Sequence, residues 1–125
     1  MSLLAVARRA PQSLPKTTPH ERALPMAWMI TCEDSENGAA LRADASVMDA
    51  HWAYELSIKD RILAAGSLRS DDGQTPMGSL LIVDVSTRAE ALALINADPA
   101  TKAGLRGDIN IHYWNPAILA RDELT

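Results

Sequence analysis

A run of apolar residues near the middle of the chain, Ser79–Val85 (SLLIVDV), constrains the fold more than any other feature. A strand with one face in water alternates apolar and polar residues, whereas Leu80–Val83 is apolar at every position. We therefore predict a strand that is covered on both faces. A chain of 125 residues holds one core and cannot supply a layer for each face by itself.

A strand, a long helix and a second strand are predicted before this run. Ala27–Glu33 has the β-branched and aromatic content of a strand, and the turn-forming residues 34–38 end it. Residues 40–62 contain no Pro or Gly. Apolar residues recur there at steps of three and four, which predicts one long helix with an apolar stripe (Leu41, Ala45, Met48, Trp52 and Leu56). Ile62–Leu68 is the second strand, with Gly66 at a bulge or at the close approach of a ligand.

A second helix is predicted after the apolar strand, while the segment before that strand, Arg69–Gly78, is predicted to be a polar loop. Thr87 and Glu90 have the spacing of a capping box, in which each side chain accepts a hydrogen bond from the other residue's backbone N–H. This pattern places the start of the helix at Thr87. Its apolar side ends at Ala97.

A short helical turn and a fourth strand complete the pattern. Asp98 suits an N-cap, Pro99 suits the first helical position, and Gly104 suits a left-handed C-cap. Asp108–Trp114 alternates, with three apolar or aromatic residues on one face and Asn110, His112 and Trp114 on the other.

The resulting order is β-α-β-β-α-β, which predicts the α+β class and a ferredoxin-like four-stranded antiparallel sheet. Both helices of that arrangement lie on one face and leave the other bare. Because the third strand is apolar on both faces, we predict that the bare face meets the same face of a second copy, in a homodimer or a higher homo-oligomer.

The two ends of the chain differ from the predicted domain, 26–116. Residues 1–25 contain prolines at four positions (Pro11, Pro15, Pro19 and Pro25), which predicts an extended Pro-rich tail. Three roles remain open for this tail: a non-functional extension, an arm that wraps a partner subunit, or a targeting signal. Residues 117–125 are predicted to be a short C-terminal tail.

Charge and cysteine content exclude several classes of function. The net charge is −4, and because residues 1–25 carry +3, the remainder carries −7, which argues against a nucleic-acid partner. No apolar run approaches the roughly 18 residues of a membrane span, so no membrane partner is expected. The single cysteine, Cys32, is predicted to be a small buried apolar residue, and its isolation favours a reducing, cytoplasmic location.

Four sequence motifs resemble one known family. Ala50–Leu56 (AHWAYEL) followed by Arg61–Leu68 (RILAAGSL) is similar to a helix His and then a strand with an Ala-Gly pair. Asp98-Pro99, followed by Ala103-Gly104-Leu105, is similar to the second signature of the same family. Over about 27–114 the chain thus resembles the YCII-related (YciI-like) proteins, and the resemblance implies a dimeric α/β barrel with a small-molecule pocket near His51 and Asp98.

The sequence departs from that family at two places. Met48 and Asp49 occupy a stretch where many members carry a basic residue, and Ser67 stands where a Pro commonly follows the strand Gly. Arg42 or Arg69 is therefore expected to supply the cation that would recognise an anionic substrate. We predict that the substrate-binding residues are Arg42, Trp52, Gly66, Ser67 and Arg69.

A His held by a carboxylate is a well-oriented proton acceptor. We therefore predict that His51 acts as a base and that Asp98 orients it, in a cofactor-free enzyme of the lyase or isomerase type acting on a carbonyl or lactone-like metabolite. Ser67 or the Gly66 N–H would bind the developing oxyanion. The alternative interpretation is purely structural: Asp98 only caps a helix, and His51 is a partly buried side chain whose hydrogen bonds are satisfied.

Two other functions remain open: a small-ligand-binding module without chemistry, and a haem-binding or monooxygenase-like relative. No metal is expected, because the three histidines, His20, His51 and His112, have no metal-ligand spacing. No nucleotide cofactor is expected, because the glycines form no phosphate-binding loop.

Overall fold

The structure is a computed structural model that describes residues 26–124. The predicted roles of the N-terminal tail and of His20 lie outside the described residues. The chain divides into two units, of which Met26–Trp114 holds the sheet and the helices. The elements of that unit, in chain order, are β1 (Ala27–Asp34), α1 (Gly38–Arg42), α2 (Ala45–Ser57), a 3₁₀ turn (Lys59–Arg61), β2 (Ile62–Arg69), β3 (Pro76–Asp84), α3 (Arg88–Asn96), α4 (Pro99–Lys102) and β4 (Arg106–Trp114).

The four strands form one antiparallel sheet in the order β2-β3-β1-β4. In the central row, Ile30 of β1 pairs with Leu81 of β3 on one side and with Ile111 of β4 on the other. This order and the α+β composition confirm the predicted ferredoxin-like fold. The apolar strand β3 lies between β2 and β1, inside the sheet, where both of its backbone edges are paired.

The core lies between one face of the sheet and the helices. Alternate strand residues point to this face and pack with residues of α3 and with Ile58 at the end of α2. The buried members are Ile30, Cys32, Ile58, Leu81, Val83, Val85, Ala91, Leu94, Ile95 and Ile111. Cys32 is buried as predicted, and burial raises the pKa of its thiol above the ordinary value.

The opposite face of the sheet carries a group of apolar residues from β1 and β3. Met29, Leu80 and Ile82 alternate with the core residues, so they point away from the core, and each is only half-buried. None of the three belongs to the hydrophobic cluster of the described chain. The consecutive apolar residues of β3 therefore divide between the core and this second face.

The single long helix predicted for residues 40–62 is wrong. It is broken at Ala43 and Asp44 into α1 and α2, although no Pro or Gly is present. The Asp44 carboxylate accepts hydrogen bonds from the N–H of Ser46 at 3.0 Å and from its hydroxyl at 2.7 Å. A short side chain that bonds the local backbone competes with helix continuation and favours a new N-cap. In the described chain, no helix is long and apolar enough to cross a membrane.

The apolar stripe predicted for this helix does not face the core. Trp52 is 59% exposed and Leu56 is 46% exposed, and α2 has no buried residue. The half-buried side of α2 instead carries His51, Tyr54 and Glu55. Helical spacing cannot separate these two faces by hydrophobicity, because the inner face lies over a polar site.

Several local signals are confirmed and others shift. Thr87 and Glu90 form the capping box at the start of α3, and Gly104 has a φ of 98°, as a left-handed C-cap requires. β3 begins at Pro76, inside the predicted loop, and β4 begins at Arg106 rather than at Asp108. No bulge lies at Gly66, since the irregularities of the β2–β3 pairing lie near the two ends of β2.

The C-terminal segment, described by itself, contains a short hairpin within the predicted tail. Ile118–Leu119 pairs with Asp122–Glu123 in two antiparallel strands, β5 and β6. Ala120 and Arg121 between them both have positive φ angles, the conformation of a two-residue hairpin turn.

Gly78 on β3 has no room for a side chain, which generates a test of the sheet packing. A Cβ at this position would overlap the backbone carbonyl oxygen of Cys32, which cannot rotate away. We expect Gly78→Ala to lower the free energy of unfolding in urea by about 1 to 3 kcal/mol, the usual cost of overpacking. Gly66→Ala is the matched control, because a Cβ there meets nothing within 4 Å. Equal stability of the two variants would contradict the close approach of the two strands.

Candidate active site

A cavity of about 390 Å³ lies between α2 and the strands β2 and β3. This volume is within the range of small-molecule sites. All the residues predicted to bind substrate contribute to its wall, together with His51: Arg42, Trp52, Gly66, Ser67 and Arg69. The remaining lining residues were not among the predicted site residues: Met48, Glu55, Ala65, Ser79 and Leu81.

Asp98 lies behind the wall of this cavity and is 1% exposed. It is the N-cap of α4, where its Oδ1 accepts the N–H of Ala100 at 2.9 Å. Its Oδ2 lies 2.7 Å from Nδ1 of His51 and accepts from a terminal nitrogen of Arg106 at 3.1 Å. Capping uses one carboxylate oxygen and leaves the other for the histidine, so the helix-cap reading and the His–Asp pairing both hold for the same side chain.

The Asp98 carboxylate is stabilised in its charged form. Burial by itself would raise its pKa, but the hydrogen bonds from His51 and from the Ala100 N–H, with the positive charges of His51 and Arg106, outweigh burial. The net result is a pKa below the ordinary value. Asp98 is therefore an acceptor at neutral pH, and the ring nitrogen that faces it must carry a hydrogen.

This constraint sets the state of the His51 ring. Because Nδ1 donates to Asp98, a neutral His51 has its lone pair on Nε2. Nε2 lies 3.5 Å from Oε1 of Glu55, one helical turn further along α2, and both residues line the cavity. Nε2, which does not contact Asp98, is thus the ring nitrogen able to take a proton from a molecule in the cavity.

Glu55 adds a second carboxyl group to the site. Burial raises its pKa; the nearby His51 charge opposes this effect without cancelling it. Two carboxyl groups therefore flank one imidazole, with the pKa of Asp98 lowered and the pKa of Glu55 raised. Environments that separate two carboxyl groups in this way are typical of sites that move protons.

Arg106, which sequence analysis missed, connects this network to the sheet. Its side chain is 2% exposed, and besides Asp98 it donates to Ser79 Oγ and, at 3.4 Å, to the Thr101 hydroxyl. Uninterrupted alternation along β4 would place Arg106 on the same face as Asn110, away from the core. The pairing register shifts between Arg106 and Ile109, and this shift turns the arginine toward the core side. Simple alternation gave no signal for this orientation.

The two arginines predicted to bind an anion are already engaged. Arg42 makes a bidentate pair with Asp34, at 2.7 and 2.9 Å, and also donates to the carbonyl of Gly78 at 3.2 Å. Arg69 donates through Nε to Ser67 Oγ at 2.8 Å and through a terminal nitrogen to a loop carbonyl at 3.2 Å. Arg69 lies at the exposed end of β2.

The other sequence candidates lie apart from the cavity. His112 points to the opposite face of the sheet and is exposed. Within residues 26–124, no group of three or more His, Cys, Asp or Glu side chains is placed to hold a metal ion.

Fold and site together define a ferredoxin-like α+β domain with a His–Asp–Arg network buried behind a small cavity. The profile of the YCII-related domain matches residues 26–115, which is more than half of the chain. The chain belongs to the YCII-related family.

A solved structure gives a more specific comparison. The chain is similar to 5-chloro-2-hydroxyhydroquinone dehydrochlorinase (TftG) from Burkholderia phenoliruptrix AC1100, in complex with 2,5-dihydroxybenzoquinone. The TM-score is 0.61 and the sequence identity is 26%, over 72% of this chain and 94% of that chain. Among curated proteins, none matches this chain.

The buried network predicts that Asp98→Asn is strongly destabilising. The amide keeps the helix cap but leaves the buried Arg106 charge without its carboxylate, a loss of about 3 to 5 kcal/mol. Unfolding in urea at pH 7 measures this loss. The exposed Asp108 on β4, the strand that carries Arg106, provides the control: Asp108→Asn should change stability by less than about 0.5 kcal/mol.

The same variant has a pH signature. The pKa of Asp98 is lower in the folded than in the unfolded protein, so between the two values the unfolded state binds more protons. The stability that the carboxylate supplies is present above about pH 4 and is lost as the pH falls through the folded-state pKa. Asp98→Asn should lack this part of the acid-side loss. A parallel decline in both proteins would contradict the assignment.

Proposed function

We propose that this protein is a cofactor-free proton-transfer enzyme of the lyase or isomerase type, acting on a small carbonyl-containing metabolite. His51 is the base and Asp98 orients it. The single observation that carries the proposal is the 2.7 Å contact between His51 Nδ1 and the buried Asp98 carboxylate, in the wall of a cavity of small-molecule size. A surface histidine would not need a fully buried carboxylate to set its tautomer.

The proposed step is the removal of a proton from a carbon next to a carbonyl group. The C–H bond breaks, an N–H bond forms at His51 Nε2, and the electron pair moves onto the carbonyl oxygen. In an isomerisation the proton returns to another carbon; in an elimination the pair expels a leaving group from the neighbouring carbon. The imidazolium that forms lies between Asp98 and Glu55, whose negative charges stabilise it.

The comparison with the dehydrochlorinase supports this reaction class. Its name describes the removal of hydrogen chloride from a chlorinated hydroxyhydroquinone, which is an elimination, and its complex holds an oxygen-rich six-membered ring. The wall of the present cavity combines apolar side chains with the hydroxyls of Ser67 and Ser79. Such a wall suits a compact ring or chain that carries several oxygens.

Proton exchange tests the proposal without a known substrate. The protein is incubated in D₂O with a panel of small ketones, lactones and hydroxyquinones, and NMR follows the incorporation of deuterium next to the carbonyl. Chloride release from 5-chloro-2-hydroxyhydroquinone is measured separately. We expect His51→Gln to lower the rate on an accepted compound by roughly 10²- to 10⁴-fold, the usual contribution of a general base.

His112→Gln is the matched control, because this histidine is exposed on the opposite face of the sheet. Its rate should equal that of the unmodified protein. Full activity of His51→Gln would refute the assignment of the base. If compounds bind and stabilise the protein but none exchanges or eliminates, the protein is a ligand-binding module instead. A Soret band after addition of haem, lost in His51→Ala, would favour the haem-binding alternative.

We also propose that two copies pair through the apolar second face of the sheet. Met29, Leu80 and Ile82 present adjacent apolar side chains there, and each is only half-buried. Burying such a face is favourable by roughly 25 cal/mol per Å² of apolar surface. A second copy related by a two-fold axis offers the same face, so the two apolar faces cover each other.

Sedimentation measures this pairing. We expect the unmodified chain to sediment at twice its mass of 13.5 kDa at micromolar concentration. Ile82→Glu, which places a charge in the centre of the apolar face, should sediment as a monomer. Leu92→Glu makes the same change on the exposed side of α3 and should leave the dimer intact. A monomeric unmodified chain would refute the proposal.

A further inference from the structure

Ser79 has an unusual hydrogen-bonding situation. It is 8% exposed, its side chain lies in the wall of the cavity, and its Oγ accepts a hydrogen bond from the buried guanidinium of Arg106. A guanidinium has donors only, so the serine oxygen must act as the acceptor in this contact. The hydroxyl hydrogen of Ser79 is then left over, because among the described residues the side chain of Ser79 makes its hydrogen bond to Arg106 as an acceptor.

Buried side chains connect the Ser79 hydroxyl to the proposed base, His51. Arg106 donates to the same Asp98 oxygen that accepts from His51, so Asp98 and Arg106 link the base to the serine behind the cavity wall. The chain of contacts begins at one cavity-lining residue, His51, and returns to the cavity at another, Ser79. A positive charge bonded to the serine oxygen also makes its hydroxyl a stronger donor, because hydrogen bonds in a chain polarise one another.

Ser67 provides the comparison within the same wall. It pairs directly with Ser79 in the sheet and accepts from Arg69, so both hydroxyls follow the same pattern. Ser67 and Arg69 are exposed, however, whereas Ser79 and Arg106 are buried. A donor that is fixed in a water-poor environment stabilises a negative charge more than a mobile exposed donor does. The stronger anion-stabilising group is therefore Ser79.

We propose that Ser79 donates a hydrogen bond to the substrate oxygen on which negative charge develops when His51 removes a proton, and that Arg106 is the positioning residue that holds Ser79 as a donor. The inference rests on the proposed function, and it specifies the substrate class. The substrate carries an oxygen that becomes an enolate or phenolate, and this oxygen lies against β3. Ser67 is then a secondary contact rather than the main oxyanion donor.

Binding of two probes tests the assignment. The first is 2,5-dihydroxybenzoquinone, which carries ring oxygens with negative charge; the second is p-xylene, a ring of similar size without oxygen. Calorimetric titration should show that Ser79→Ala weakens binding of the first probe by roughly tenfold or more, with binding of the second unchanged. A general loss of cavity shape would weaken both probes. Ser57→Ala, at the exposed end of α2, should leave both affinities unchanged.

Turnover gives a second measurement. On any compound that the unmodified protein accepts in the exchange assay, Ser79→Ala should lower kcat by roughly 10²-fold or more, with a smaller change in KM, because the hydrogen bond strengthens as charge develops. Arg106→Lys keeps a charge beside Asp98 but lacks the planar set of donors. It should lower kcat as Ser79→Ala does, and the double variant should be no worse than the poorer single variant.

The two proposals fail separately. Equal affinity of the quinone probe for the unmodified protein and for Ser79→Ala would overturn the role of Ser79, whatever His51→Gln does. Failure of the unmodified protein to bind the quinone probe would overturn it as well, because a buried hydroxyl whose oxygen is bonded to a guanidinium should retain an oxygen anion. If Ser79→Ala loses the probe while His51→Gln keeps full exchange activity, the oxygen site stands and the proposed base is wrong.

Discussion

The buried carboxylate of Asp98 is the interaction on which the rest of the site depends. It begins α4, fixes which nitrogen of His51 carries a hydrogen, and provides the countercharge that allows Arg106 to be buried. Each of these partners would be costly to bury alone, because an isolated charge loses its hydration without compensation. Together they satisfy one another, and their hydrogen bonds and charges hold the pKa of Asp98 below its ordinary value despite its burial.

The polar groups around this carboxylate form a chain of contacts that leaves the cavity wall at His51 and returns to the same cavity at Ser79. Glu55 and His51 contact the cavity from α2, and Ser79 contacts it from β3. Asp98 and Arg106 lie between them, hidden from the cavity by the same residues that they position. The proposed base on one side and the proposed donor on the other, joined by buried groups, form an arrangement that suits proton removal next to a carbonyl.

The two faces of the sheet differ in what they contact. The helix-covered face builds the core and, between α2 and the edge of the sheet, leaves the cavity. The second face presents an apolar group that includes Leu80 and Ile82, with polar residues such as Thr31 and His112 beside it. Because side chains alternate along a strand, β3 can supply a cavity residue, Ser79, and its neighbour on the second face from adjacent positions.

Local signals in the sequence determined the fold class, the order of the elements along the chain and the capping box at Thr87, whereas the His51 and Asp98 candidates came from the resemblance to the YCII-related family. These features depend on neighbouring residues, whose spacing is visible without a structure. The break before α2 was missed because the Asp44 side chain outcompeted a pattern that contained no Pro or Gly.

Only the tertiary structure decided which polar groups meet. Arg106 reaches Asp98 because the register of β4 shifts beside it. His51 reaches Asp98 because α2 packs against α4 and lies over a cavity rather than over the apolar core. Trp52 is exposed for the same reason. These contacts join residues from separate elements, and their geometry follows from how the elements pack, which no local spacing encodes.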